Sequence, residues 1–239
     1  RDLLLSWSVL ASNRIALGQL AGDAAAVELW QRRNQELAAR FPELELYKAA
    51  DWLMFYRQTL RFDLALDRAR QGLELAREQR NALWEYQFLA QVADLAFRLG
   101  RVDAAIEACE AAHRFRRAFA SPGALGSLDL LHAEALGRAG FLNEARRVAQ
   151  AVLAEPGLSP ARRVEAQGLS ARLAAEMGDA AAADAAANQA IDTAVEHGHR
   201  DSLLLAAVAA ATASHRLGRR EDARSAYSQA LEIAATGAA

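Results

Sequence analysis

Arg98-Leu99-Gly100-Arg101-Val102-Asp103-Ala104-Ala105-Ile106-Glu107 reads as the end of one helix, a tight turn and the start of a second helix. Gly100 makes the turn, because a residue without Cβ takes positive φ at no steric cost. Asp103 falls in the first turn of the following helix, where the dipole favours an acid. Ala105 is small enough for two helices to approach closely.

The same pattern recurs along the whole chain, as Ala21-Gly22-Asp23, Ala139-Gly140-Phe141, Met177-Gly178-Asp179 and Leu217-Gly218-Arg219. A further copy, Thr59-Leu60-Arg61-Phe62-Asp63, carries Leu60 in the glycine's place. The anchors 22, 60, 100, 140, 178 and 218 differ by 38, 40, 40, 38 and 40 residues, an internal period that marks a repeat architecture. Five residues after each anchor stand Val27, Ala65, Ala105, Ala145, Ala183 and Ala223; twelve after stand Asn34, Gly72, Ala112, Val152, Ala190 and Ala230. Seven before stand Ile15, Leu53, Ala93, Ala133, Ala171 and Ala211. Small side chains at fixed offsets permit short distances between helix axes.

With its turn glycine and these small positions, the chain resembles the tetratricopeptide repeat (TPR) family over essentially its full length. The units run four to six residues longer than the family's period of about 34, and the aromatic residue often found near the start of that family's first helix is missing. Long units of this kind resemble the superhelical domain of MalT-type, LuxR-family bacterial activators. The resemblance implies an all-α, right-handed superhelical solenoid of about six helix-turn-helix units. Their expected bounds are about 1–42, 43–81, 82–123, 124–158, 159–200 and 201–239, forming one module.

Helix pairs are expected near 3–20 and 24–40, 43–59 and 62–79, 82–98 and 102–119, 124–138 and 142–154, 161–176 and 180–197, and 201–216 and 220–235. The four prolines all fall between units, none inside an expected helix, as their missing N–H and ring clash require. Ser159-Pro160 and Asp201 are read as helix starts, since a short polar side chain caps a first turn. The link Glu155–Pro160 is the expected hinge.

Composition agrees with a helical solenoid. The chain has 239 residues, 53% hydrophobic and 24% charged; alanine dominates and strand-forming clusters are missing. Lys+Arg 28 against Asp+Glu 30 gives a net charge of −2, so no global basic field draws nucleic acid. The paired arginines, such as Arg32-Arg33 and Arg146-Arg147, are scattered over different units and read as solvated helix faces. The one cysteine, Cys109, excludes an internal disulfide. Its place nine after Gly100 reads as a buried packing thiol, which suits a reducing, cytoplasmic setting. No signal peptide is visible, and the longest apolar run, 203–213, is about half a membrane span. The chain begins at Arg1 without Met, and reads as a piece of a longer polypeptide.

In the family that the chain resembles, the first helix of each unit lines a concave groove. Carried over by offset, this implies groove positions at Asn13 and Gln19; Tyr47, Asp51, Met54, Arg57 and Gln58; Gln87, Gln91, Asp94, Phe97 and Arg98; Ser127, Glu134 and Arg138; Glu165, Arg172 and Glu176; and Thr212, His215 and Arg216. Arg57, Arg98, Arg138 and Arg172 each present a planar fork of donors suited to a carboxylate or phosphate. Asp94 and Glu134 share one offset and suit amines or hydroxyls. The competing reading is that arginines near a helix end simply complement its dipole. Trp52, Phe55, Tyr56, Phe62, Trp84, Tyr86 and Phe88 concentrate in units two and three, as core filling or as the wall of a pocket.

Catalysis finds little support. His197 and His199 flank Gly198 as a loose pair, but two ligands without a third make a poor metal site. His132 falls at a core-like offset and reads as a packed imidazole. No phosphate loop, nucleophile elbow or zinc-protease motif occurs. No cofactor is implied. The expected function is therefore a non-catalytic binding module. Its narrower form is the effector-sensing and self-associating domain of a MalT-type regulator; the alternative is a TPR scaffold that takes a peptide or partner protein in its groove.

Overall fold

The computed structural model describes residues 44–115 and 122–235 continuously, the backbone alone at 122–125, together with residue 118 and scattered residues between 10 and 41. Unit one's helix pair, Gln19, Val27, Asn34 and the apolar start Leu3–Trp7 lie outside the described residues, apart from isolated positions such as Ile15. Ten helices are described in full: α1 (Leu44–Gln58), α2 (Phe62–Glu78), α3 (Ala82–Arg98), α4 (Val102–His113), α5 (Pro122–Arg138), α6 (Leu142–Leu153), α7 (Pro160–Glu176), α8 (Ala180–His197), α9 (Arg200–Arg216) and α10 (Arg220–Ala235). The fold is all-α, built of sequential antiparallel pairs. The chain divides into two compact units, residues 1–119 and 120–239, and each is described by itself.

The turn at Gly100 is a helix C-cap, built the same way at each anchor from 60 to 218. Arg101 N–H donates to Ala96 O at 2.8 Å and Gly100 N–H to Phe97 O at 3.0 Å, so two otherwise orphaned carbonyls are satisfied. The geometry requires a left-handed residue: φ is 72° at Gly100 and 87°, 77° and 74° at Gly140, Gly178 and Gly218. Leu60 adopts φ 58° in the same place, with Arg61 N–H on Tyr56 O at 2.8 Å. The copy without glycine therefore keeps the turn and carries the strain. Arg80 repeats the device at the end of α2, with φ 52°. There the Asn81 side chain accepts from Trp84 N–H to start α3.

The small positions are where the helices meet. Ala65, Ala105, Ala145 and Ala183, five after the anchors, are fully buried, as are Ala93, Ala133, Ala171 and Ala211, seven before. In residues 120–239, α8 packs against both α7 and α9. Ala171, Ala174, Ala175, Ala183, Ala187 and Ala213 form one layer of that core. Val164, Ala190, Ala194 and Ala206 form the next. In residues 1–119 the layers are filled differently: Phe88 lies against Gly72, so close that a Cβ there would sit 2.3 Å from the ring's Cζ. A missing side chain on α2 thus makes room for an aromatic on α3.

Several expected bounds move. The second helix of unit three ends at His113, where Arg114 and Phe115 form a turn, instead of running to 119. Pro122 is the first residue of α5 rather than part of a break, and Pro160 opens α7 behind a Ser159 cap. Both prolines stand where the helix needs no N–H. Asp201 does not cap α9; His199 holds that position without a side-chain cap, and Asp201 sits in the first turn. The division between compact units falls after Phe119, whereas the expected hinge at 155–160 is braced, because α7 packs on both α6 and α5 across it.

Candidate binding groove

The first-helix positions 13, 9 or 10, 6 and 2 residues before each anchor recur every three or four residues, so they share one helix face. In residues 44–115 this face belongs to α1 and α3. Arg57 on α1 donates to Gln91 Oε1 at 3.0 Å and pairs with Asp94 at 3.4 Å, both on α3. Arg98, one turn along from Asp94, donates to both of its oxygens at 3.0 Å. Asp94 is thus held between two guanidinium groups, one from each unit. Tyr47 meets Trp84 edge to face at 4.9 Å. Met54, Gln58 and Gln87 are exposed, and Asp51 is half-buried. Phe97, carried over as a groove residue, is only 8% exposed: its side chain belongs to the core.

The aromatic residues of units two and three divide between the two readings. Tyr86 and Phe88 are buried core. Trp52, Phe55 and Tyr56 are half-buried and pack on one another along α1, at the i, i+3 and i+4 spacing that brings side chains together.

In residues 120–239 the same face is carried by α5, α7 and α9, and it encloses a cleft of about 430 Å³. Ser127, Glu134, Glu165, Arg172 and Thr212, all expected at the groove, line it. Arg172 donates to Glu134 at 3.0 Å across 38 residues of sequence, from α7 to α5. Arg162 pairs with Glu165 along α7. The offsets carried over omitted the apolar lining: Leu130, Leu131, Leu169, Leu205, Val208 and Ala209. Leu205 and Val208 remain 45% and 41% exposed. The signal that finds them is the same offset frame, read for apolar as well as polar residues. Arg138 and His215 are exposed and stand outside the cleft lining, and Arg216 pairs with Glu176 at 3.4 Å.

Of the arginines expected to grip an anion, Arg57 and Arg172 are therefore already paired between units and Arg98 within α3. The reason is geometric: units 38–40 residues apart place acids and bases of neighbouring first helices side by side. The same register pairs the turn residues Arg101 and Arg219 with Asp63 on α2 at 3.0 Å and Asp184 on α8 at 2.7 Å. The hydrogen bond to Asp184, then its charge, raises the Arg219 pKa above its ordinary value.

Cys109 is fully buried, and His132 is buried at its core-like offset. His197 and His199 are exposed, with rings 4.4 Å apart. Among the described residues no group of three or more His, Cys, Asp and Glu is placed to hold a metal ion, and no helix is long and apolar enough to cross a membrane.

No family model and no curated protein matches the sequence. The fold is nonetheless shared with solved structures. A Rap protein complexed with competence and sporulation factor superposes with a TM-score of 0.71 at 18% identity, covering 98% of this chain. This chain spans 66% of that protein's length. A kinesin light chain protein of Podospora anserina, with nearly identical TPR-like repeats, gives a TM-score of 0.63 at 18% identity over 81% of this chain and 96% of its own. BtubC (BKLC) of P. vanneervenii gives 0.61 at 16% identity, over 97% of this chain and 91% of its own. The chain is thus an all-helical, TPR-like repeat protein.

Proposed function

We propose that the chain is a non-catalytic TPR-like interaction module that binds a peptide or a protein partner on the faces of its first helices. The observation that carries this reading is the cleft on α5, α7 and α9, where exposed Leu205 and Val208 stand beside the Arg172–Glu134 pair. Exposed apolar side chains gathered in a concavity lined with polar groups are the usual make-up of a binding site. The similar Rap protein, solved in complex with a factor, supports a binding role.

Tyr47, Asp51, Met54, Arg57, Gln58, Gln87, Gln91, Asp94 and Arg98 form the corresponding candidate surface in residues 44–115. Selection of a random heptapeptide library on the whole chain, followed by hydrogen exchange of the complex, tests the proposal. The expected result is protection on α1, α3, α5, α7 or α9. Failure to enrich any peptide over a blank surface, or protection confined to the second helices, overturns it.

The narrower reading, an effector-sensing and self-associating domain of a MalT-type LuxR-family regulator, has the 38–40-residue unit length as its support. A phosphate-binding loop upstream and a helix-turn-helix downstream in the parent chain would favour it; other neighbours would leave the interaction scaffold.

A further inference from the structure

The cleft on α5, α7 and α9 has a definite chemistry. Its four charged side chains, Glu134, Arg162, Glu165 and Arg172, sum to zero and are joined in two pairs. A free phosphate or a strongly acidic segment finds no uncompensated cation there, and a basic segment finds no uncompensated acid. The α9 wall is different: Leu205, Val208 and Ala209 are apolar and Thr212 is neutral.

The Arg172–Glu134 pair retains capacity. A guanidinium carries five N–H donors and a carboxylate about four lone-pair sites, whereas this contact uses one of each. Side by side at the cleft wall, they offer a donor and an acceptor about 3.0 Å apart. That is the complement of one residue of an extended peptide, whose own N–H donates and own C=O accepts on the same side.

We infer that this cleft takes an uncharged, apolar-centred, extended peptide segment, with one Leu-, Ile- or Phe-type side chain against Leu205 and Val208, and with the C=O and N–H of one of its residues read by Arg172 and Glu134. The inference rests on the module binding a peptide at all, and adds where it binds and of what chemistry. The charge balance sets specificity: an Asp or Lys beside the anchor side chain would be desolvated opposite a pair that is already neutral, which is costly.

The test uses the whole chain and the heptapeptides selected on it, fluorescein-labelled and titrated by anisotropy. Val208→Glu and Leu205→Gln change exposed positions, so circular dichroism should show both folded; Leu205→Gln serves if Val208→Glu does not fold. The expected result is selected peptides with a central large apolar residue and uncharged flanks, bound about tenfold more weakly by each variant. Arg172→Gln should weaken them several-fold and leave the preferred anchor residue unchanged. Enrichment of acidic or basic peptides overturns the chemistry. Unchanged affinity in both wall variants moves the site elsewhere while the interaction module stands. If no peptide is enriched, both the module and this cleft assignment fall.

Discussion

Replacing Leu60 by glycine should stabilise residues 1–119, and replacing Gly100 by alanine should destabilise them. Leu60 holds φ 58° and is 74% exposed, so it bears left-handed strain with little burial in return. That conformation costs a residue with a Cβ about 1–2 kcal/mol. Glycine removes the cost but gives back about 0.4–1 kcal/mol through a freer unfolded chain. The net gain is about 0.5–1 kcal/mol. Gly100 is the clean converse, since a Cβ built there meets nothing within 4 Å. Its substitution therefore reports the backbone alone, and Gly100→Ala should cost about the same 0.5–1 kcal/mol. Urea unfolding followed by circular dichroism reads both. With a slope of about 2 kcal/mol per molar urea, the midpoints should move by about 0.3–0.5 M in opposite directions. A Leu60→Gly midpoint that is unchanged or lower at constant slope would refute the claim that the variant turn stores strain.

Gly72→Ala should lose about 1 kcal/mol: the helix gains about 1 kcal/mol in propensity, but a Cβ 2.3 Å from the Phe88 ring overpacks the core by more. Addition of Phe88→Leu should recover part of that loss in thermal melts, and a neutral Gly72→Ala would contradict it. Cys109, fully buried, should react with a thiol reagent only as fast as the protein opens; labelling at the rate of a free thiol would place it at the surface. Cys109→Ser should cost about 1–2 kcal/mol, as burial of a hydroxyl does, and urea midpoints check it. A double-mutant cycle of Arg57→Ala with Asp94→Ala should give a coupling of about 0.5 kcal/mol that fades in molar salt, because the pair is partly exposed. Coupling that persists in salt would indicate a buried pair instead.

The helical hairpins were legible residue by residue, because their signals are local. A C-cap is decided by one left-handed residue and two backbone bonds, and that residue, glycine in every copy but Leu60, recurs every 38–40 residues. Small residues at fixed offsets mark where helix axes approach, and those positions proved fully buried at Ala65, Ala105, Ala145 and Ala183. The end of α4 at His113 was less legible, since nothing in Arg114-Phe115 breaks a helical pattern. Leu60 was legible as a position but not as a left-handed residue in its own right.

The sequence by itself determined the period, the all-helical class and the side of each helix that faces its neighbour, since these follow from dihedral preference and 3.6-residue geometry. Only the tertiary structure decided which charges meet. Arg57 finds Gln91, 34 residues away, and Arg172 finds Glu134 across 38. Such pairing depends on the register between units, to which no single unit's pattern is sensitive. The same register joins polar and apolar residues of three helices into one cleft, turning arginines that look like free anion clamps into half of a neutral wall.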